Sequence, residues 1–183
     1  MVQTKTFFLS AIHEACGKDD LRPTMSHVFF NNGKVYATDA HILIRQDLKE
    51  TLGFTDEHIQ LLEGKLLEAG HVKELNKCIF FETTAEYVEG TLKNGGTFRA
   101  PLKTESEVGK YPNAEAVIPQ GTEPTEHVGI NYKILNRLCL AMVLKDPDNC
   151  IKLSLQGSSR GIAVRPSQYD RGQIGLIMPV KIL

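Results

Sequence analysis

The stretch MSHVFFNNGKVYATDAHILIRQDL, residues 25–48, constrains this chain more than any other, because two β-rich runs flank Asn31-Asn32-Gly33. Asparagine followed by glycine supplies the positive φ angles that a tight two-residue hairpin needs, and the flanking runs are rich in branched and aromatic residues. A β-hairpin here fixes an antiparallel sheet as part of the fold. The same layout, a helical stretch followed by strands joined at turns, comes back twice more along the 183 residues. The repeat lies in pattern and not in identity.

In the first unit Thr6 to Ala15 reads as a helix, with Phe8, Ala11, Ile12 and Ala15 at three- and four-residue spacings, and Pro23 ends the helical region. In the second, LLEGKLLEAGHVKELNK reads as a helix broken near Gly70. A strand-turn-strand series follows over CIFFETTAEYVEGTLKNGGTFRAPL, with Asn94-Gly95-Gly96 as its turn. Residues 103–119 hold two prolines and a Tyr-Pro-Asn turn and read as an ordered connector. In the third, INYKILNRLCLAMVLK reads as a helix, CIKLSLQG and GIAVRPS as strands, and GLIMPVKIL as a last apolar strand. Its Pro179 implies a sheet edge or a strand end. These patterns divide the chain into 1–119 and 120–183.

At about 100° per residue, Lys133, Arg137, Ala141 and Lys145 fall on one stripe of the third-unit helix, with Ile134, Leu135, Leu138, Cys139 and Met142 opposite. No carboxylate lies between Val128 and Lys145. A basic outer face over a dry inner one suits a phosphate backbone, which it can meet without reading bases. The competing reading is a merely solvated face. Because the net charge is −1, any such contact is local and owes nothing to an overall basic excess.

Chemistry-bearing motifs are sparse. Four cysteines (Cys16, Cys78, Cys139, Cys150) are widely spaced, with no C-x-x-C pair, and read as reduced thiols. Neither G-x-x-x-x-G-K-[ST] nor G-x-G-x-x-G is present, and no apolar run reaches eighteen residues. An enzyme would have to use Asp39 with His41, or Cys16 with His13, and such short-range pairs arise by chance. The expectation is a cytoplasmic protein without membrane segment, metal, cofactor or catalytic residues.

Four segments, in order, then resemble the bacterial DNA sliding clamp, the beta subunit of the replicative polymerase. VYATDAHIL resembles its ATDGHRLA strand, and GKYPNAEAVIP its G-F-P-D-Y-x-x-V-I-P connector. INYKILNRL resembles its F-N-x-x-Y-L-x-D-x-L helix, and GLIMPVKIL its terminal Y-V-x-M-P-M-R-L. The resemblance implies an α+β DNA-clamp fold of repeated half-modules, each a helix on a small antiparallel sheet, with 1–119 like the middle clamp domain and 120–183 like the end of the last one. An alternative is one domain made from the first and third units with 51–119 partly inserted. The region between Asp47 and Cys78 matches only loosely.

The resemblance also implies a hydrophobic groove that captures linear peptides of polymerase or clamp-loader proteins, built here from Thr38, His41, Leu43, Pro119, Val164, Leu176, Met178, Pro179 and Val180. Helix position implies contacts to duplex DNA by Lys133, Arg137 and Lys145, with Lys65, Lys73 and Lys77 as further candidates. The chain departs from the family in carrying Ala40 and Ile42 where the strand has glycine and arginine, and Lys181-Ile182-Leu183 at its end. The implied function is a processivity factor that performs no chemistry and forms a homo-oligomer to close a ring. The alternative is a clamp-fold interaction protein that never encircles DNA and binds clamp-seeking peptides or a host clamp.

Overall fold

A computed structural model describes residues 8–18, 21–51, 53–119, 121–125, 127–142, 150–167 and 172–181. Lys145, one of the expected DNA contacts, lies outside the described residues.

The Asn-Gly signal produces the expected hairpin. Strands β1 (His27–Asn31) and β2 (Lys34–Thr38) pair antiparallel with Asn31 opposite Lys34, and both turn residues have positive φ, 52° at Asn32 and 69° at Gly33. That is the type I′ geometry, whose twist matches that of the strands it joins. A three-residue turn leads from β2 into β3 (Ile42–Asp47).

After β3 come α1 (Asp56–Leu62), β4 (Lys65–Glu68) and α2 (Ala69–Leu75). The meander β5 (Phe80–Thr83), β6 (Tyr87–Thr91) and β7 (Thr97–Pro101) follows, with Leu92–Gly96 as the turn between its last two strands. Next are β8 (Lys103–Thr104), α3 (Glu105–Val108) and α4 (Tyr132–Ala141), then β9 (Ile151–Ser154), β10 (Ile162–Pro166) and β11 (Ile174–Ile177).

Eight strands form one antiparallel sheet in the order β8-β4-β1-β2-β3-β11-β10-β9, and β5-β6-β7 form a second. The first and third units meet where β3 pairs with β11, with Leu43 opposite Leu176 and Ile42 opposite Ile177. Strands from both sides of residue 119 thus share one sheet.

The period-two alternation sends side chains to two cores. On one face Val28, Phe30, Val35, Ala37, Ile42, Ile44, Leu67, Ile162, Val164 and Ile177 meet Ile12 and Ala15, Val72 and Leu75 of α2, Leu138 and Ala141 of α4, and Met142 just after it. Helix α4 can approach β11 because Gly175 has no side chain; a Cβ there would stand 2.6 Å from the Met142 sulfur. The second sheet joins this core through Phe81, whose ring packs against Phe8 and Phe54.

On the opposite face Tyr36, Leu43, Leu66, Ala163, Ile174 and Leu176 are covered by Tyr111, Ala114 and Ile118 of the 103–119 connector, with Tyr111 stacked on Phe29. Glu115 fastens the connector: its carboxylate accepts from Tyr36 Oη at 2.7 Å and Lys34 Nζ at 3.0 Å, and Arg45 Nη1 reaches it at 3.2 Å. Burial alone would push the Glu115 pKa up, but these three donors hold it below the usual carboxylate range.

Two sequence expectations need correction. The stretch expected as one helix over Thr6–Ala15 is, where described, a 3₁₀ helix only over Ala11–Ala15. Asn76 takes up the preceding backbone, accepting from Leu9 N and donating to Ser10 O, so those groups are committed to a tertiary contact. The helix expected across residues 61–77 is interrupted by β4 and not at Gly70, which lies inside α2. Leu66 and Leu67 are buried in different cores, on opposite faces of the sheet, which adjacent residues achieve only in a strand.

Candidate functional site

The turn between β2 and β3 is organised by Asp39. One carboxylate oxygen, Oδ1, accepts from the amides of His41 at 2.8 Å and Ile42 at 2.9 Å, and the other pairs with Arg137 of α4. Thr38 closes the turn from below, accepting from Ala40 N and donating to Ile42 O. Ala40 sits at φ 74°, a left-handed conformation that costs a residue with a Cβ about 1 kcal/mol or more and is natural for glycine.

The segment after β11 runs from this turn toward the start of α4. Met178 N donates to His41 O at 3.1 Å, and Val180 N donates to Gly129 O at 2.9 Å. Two residues beyond Gly129, the Asn131 side chain caps α4 by accepting from Lys133 N and Ile134 N. Residues 178–180 are thereby held at both ends by backbone hydrogen bonds, yet Met178 stays 41% and Val180 44% exposed. Pro179 provides no N–H and sits where the ladder stops.

The residues expected to form a groove divide. Thr38, Leu43 and Leu176 stand in register across β2, β3 and β11 and are buried, the two leucines under the connector that also carries Pro119. Val164 points to the other side of the sheet, into the core beneath α4, away from Leu43 and Leu176. His41, Met178 and Val180 remain exposed and Pro179 half-buried at the end of the sheet.

Beside the terminal segment lies an open concavity of roughly 1430 Å³, lined by Pro179, Val180 and Lys181 together with Pro124, Thr125, His127, Val128, Ser158 and Ser159. The sequence motifs did not point to residues 124–129 or 157–159, because these come from loops whose proximity to Pro179 is set by the Val180–Gly129 bridge.

The expected DNA contacts are dispersed. Lys133 is exposed on α4, whereas Arg137 lies at the border of that face and is engaged by Asp39. The outward stripe differs from the helical-wheel expectation: Ala141 is buried, and Tyr132 and Leu140, 73% and 63% exposed, flank Lys133 and Asn136. Lys73 is exposed on α2, and Lys77, just beyond that helix, is paired with Glu74 at 2.6 Å. Lys65 is half-buried on β4 beside β8.

The residues that an enzyme reading would use are otherwise engaged. Burial, with Asp39 and Glu14 adding repulsion, pushes the Cys16 thiol up to about 12, and burial lowers the His13 pKa. This is the reverse of an activated thiolate pair. Asp39 spends its carboxylate on the turn and on Arg137.

No protein-family model matches the sequence, and no curated protein does. Solved structures do. The DNA polymerase sliding clamp from Bacillus subtilis matches with a TM-score of 0.61 at 15% identity, over 95% of this chain and 60% of that one. The H. pylori beta clamp in complex with diflunisal matches with a TM-score of 0.65 at 12% identity, over 98% of this chain and 65% of that one. The sliding clamp (DNA polymerase III subunit beta) from Bartonella birtlesii bound to griselimycin gives 0.60 at 15% identity, over 96% and 66%. The chain therefore spans about 60–66% of the length of these clamps. It has the α+β DNA-clamp fold, with helices packed on antiparallel sheets, and identities this low establish the fold alone. Among the described residues no helix is long and apolar enough to cross a membrane.

Proposed function

We propose that this chain works as a sliding-clamp-like processivity factor, which performs no chemistry and binds short linear peptides of polymerase or clamp-loader proteins at the end of its large sheet. The observation that carries the reading is the terminal segment 178–180, fastened to the His41 turn and to Gly129 while Met178 and Val180 stay open beside a concavity. Methionine and valine side chains presented on a backbone held at both ends make an adaptable apolar surface for a few peptide anchors. The peptide site of this proposal comprises His41, Met178, Pro179 and Val180. Thr38, Leu43, Leu176 and Pro119 support it from the sheet and the connector, and Val164 has no part in it.

Duplex DNA is the second partner in this reading, met without sequence preference by Lys133 and Lys73 and by Lys145 beyond α4. Tethering requires a closed ring, which in this reading copies of the chain complete as a homo-oligomer in the cytoplasm. Light scattering at several protein concentrations, with and without circular duplex DNA, tests this. A closed oligomer retained on circles and released by linearisation is the expected result. A persistent monomer with no retention would remove the ring.

One observation favours a second reading, a clamp-fold interaction protein that does not encircle DNA. The outward stripe of α4 presents Tyr132 and Leu140 where a pure phosphate face would present charge, and Glu74 of α2 pairs with Lys77 just beyond that helix. In that reading the peptide site is kept and DNA retention is absent.

A further inference from the structure

The hydrogen bonds around the terminal segment form a closed circuit. Arg137 on α4 holds the Asp39 carboxylate, which holds the amides of His41 and Ile42. The His41 carbonyl holds Met178 N, Val180 N is held by Gly129 O, and Gly129 leads through the Asn131 cap back into α4. From this circuit we infer that Arg137, through Asp39, is a positioning residue for the peptide site and not a phosphate contact. It fixes the left-handed turn at Ala40 against which residues 178–180 are seated.

Three observations support this. Asp39 keeps 12% of its side-chain exposure and Arg137 39%, so the carboxylate lies on the protein side of the pair and the guanidinium closes over it. The Arg137 Nε is shielded from solvent, so it cannot be offered to a phosphate. The turn also starts from a strained backbone: Ala40 at φ 74° has a Cβ that glycine would spare it, so the conformation depends on the carboxylate that pins the two amides beyond it. The consequence for peptide binding rests on the groove reading above; the positioning itself does not.

The test uses the full chain with Asp39→Asn, Arg137→Gln and the double substitution. Amide hydrogen exchange at Ile42 and Met178 is compared with that of Phe29 and Phe30 in β1 as an internal reference. Positioning predicts exchange faster by about tenfold at Ile42 and Met178 in both single variants. The double variant would be no faster than either single, and β1 would be unchanged. Equal acceleration everywhere would mean general destabilisation and would overturn the inference, as would no acceleration at Met178.

Salt-dependent binding to duplex DNA separates the alternatives further. A phosphate-contacting Arg137 would lose about one unit of log–log salt slope on substitution to glutamine, and Asp39→Asn would tighten binding by freeing it. Positioning predicts an unchanged slope in both. If the protein binds neither duplex DNA nor peptide, the exchange data still decide for or against Arg137, and only the function proposed above falls.

Discussion

Two parts of the expected groove sit on the same strand and its continuation, yet they differ in what a ligand could do with them. Leu176, within β11, stands between Leu43 and Ala163, is roofed by the connector and is buried. Two residues later Met178 has left the ladder, and by Val180 the side chains face a concavity. The difference comes from the cover: helices pack on one face of the sheet and residues 111–118 cover Leu43 and Leu176 on the other, whereas Met178 and Val180 lie past the end of β11 and stay exposed. The stretch expected as a groove therefore contains both buried and exposed residues.

The sharpest way to break this contrast is to truncate the closed half. Leu176→Ala is expected to cost about 2–5 kcal/mol of stability, read as a lowered urea midpoint with an unchanged slope. A cost below about 1 kcal/mol would show that the roof is not packed. Removing the fastener comes next. Glu115→Gln weakens the interactions with Lys34, Tyr36 and Arg45 at a half-exposed site, and about 1 kcal/mol is expected from urea unfolding.

The same fastener has a pH signature. Because the folded carboxylate titrates below its unfolded value, its stabilisation is present above the ordinary carboxylate range and is lost as pH falls through the lowered pKa. The Glu115→Gln variant should accordingly lose part of the acid sensitivity seen in the parent chain. An identical acid profile in both would remove Glu115 as the fastener.

Ala40→Gly has the opposite sign. It should stabilise the protein by about 1 kcal/mol, less the entropy glycine adds to the unfolded chain, because the φ of 74° is then unstrained. The smallest effect on stability is expected at the open half. Met178→Ala and Val180→Ala should each stay within about 0.5 kcal/mol of the parent in thermal unfolding. If either costs as much as Leu176→Ala, the open half is core and the contrast fails.

Much of this fold was legible before any coordinates. Asn32-Gly33 dictated its hairpin, Asn94-Gly95-Gly96 its turn, and the apolar stripe of residues 134–142 the helix that lies over Gly175. Residues 65–68 were misread because leucines and charges at helical spacing fit a helix until β1 offers a strand partner. That pairing is a tertiary fact with no local trace.

The site was less legible for a similar reason. Alternation alone puts Val164 and Ala163 on opposite faces, but which face lies toward Leu43 depends on the β10–β11 register. Charge pattern marked Arg137 correctly as basic and could not reveal that Asp39, 98 residues earlier, would claim it. The family's glycine position was visible as Ala40, and its cost emerged only as a backbone angle.

The most direct test of the central claim, that the chain beyond the sheet's end is the ligand-receiving surface, is NMR shift mapping with a short linear peptide carrying two leucine anchors as probe. The account predicts saturable shifts at His41, Met178, Val180 and Lys181, weakened at least tenfold by Met178→Ala without loss of fold. Shifts confined to other surfaces, or none at saturating probe, would contradict it.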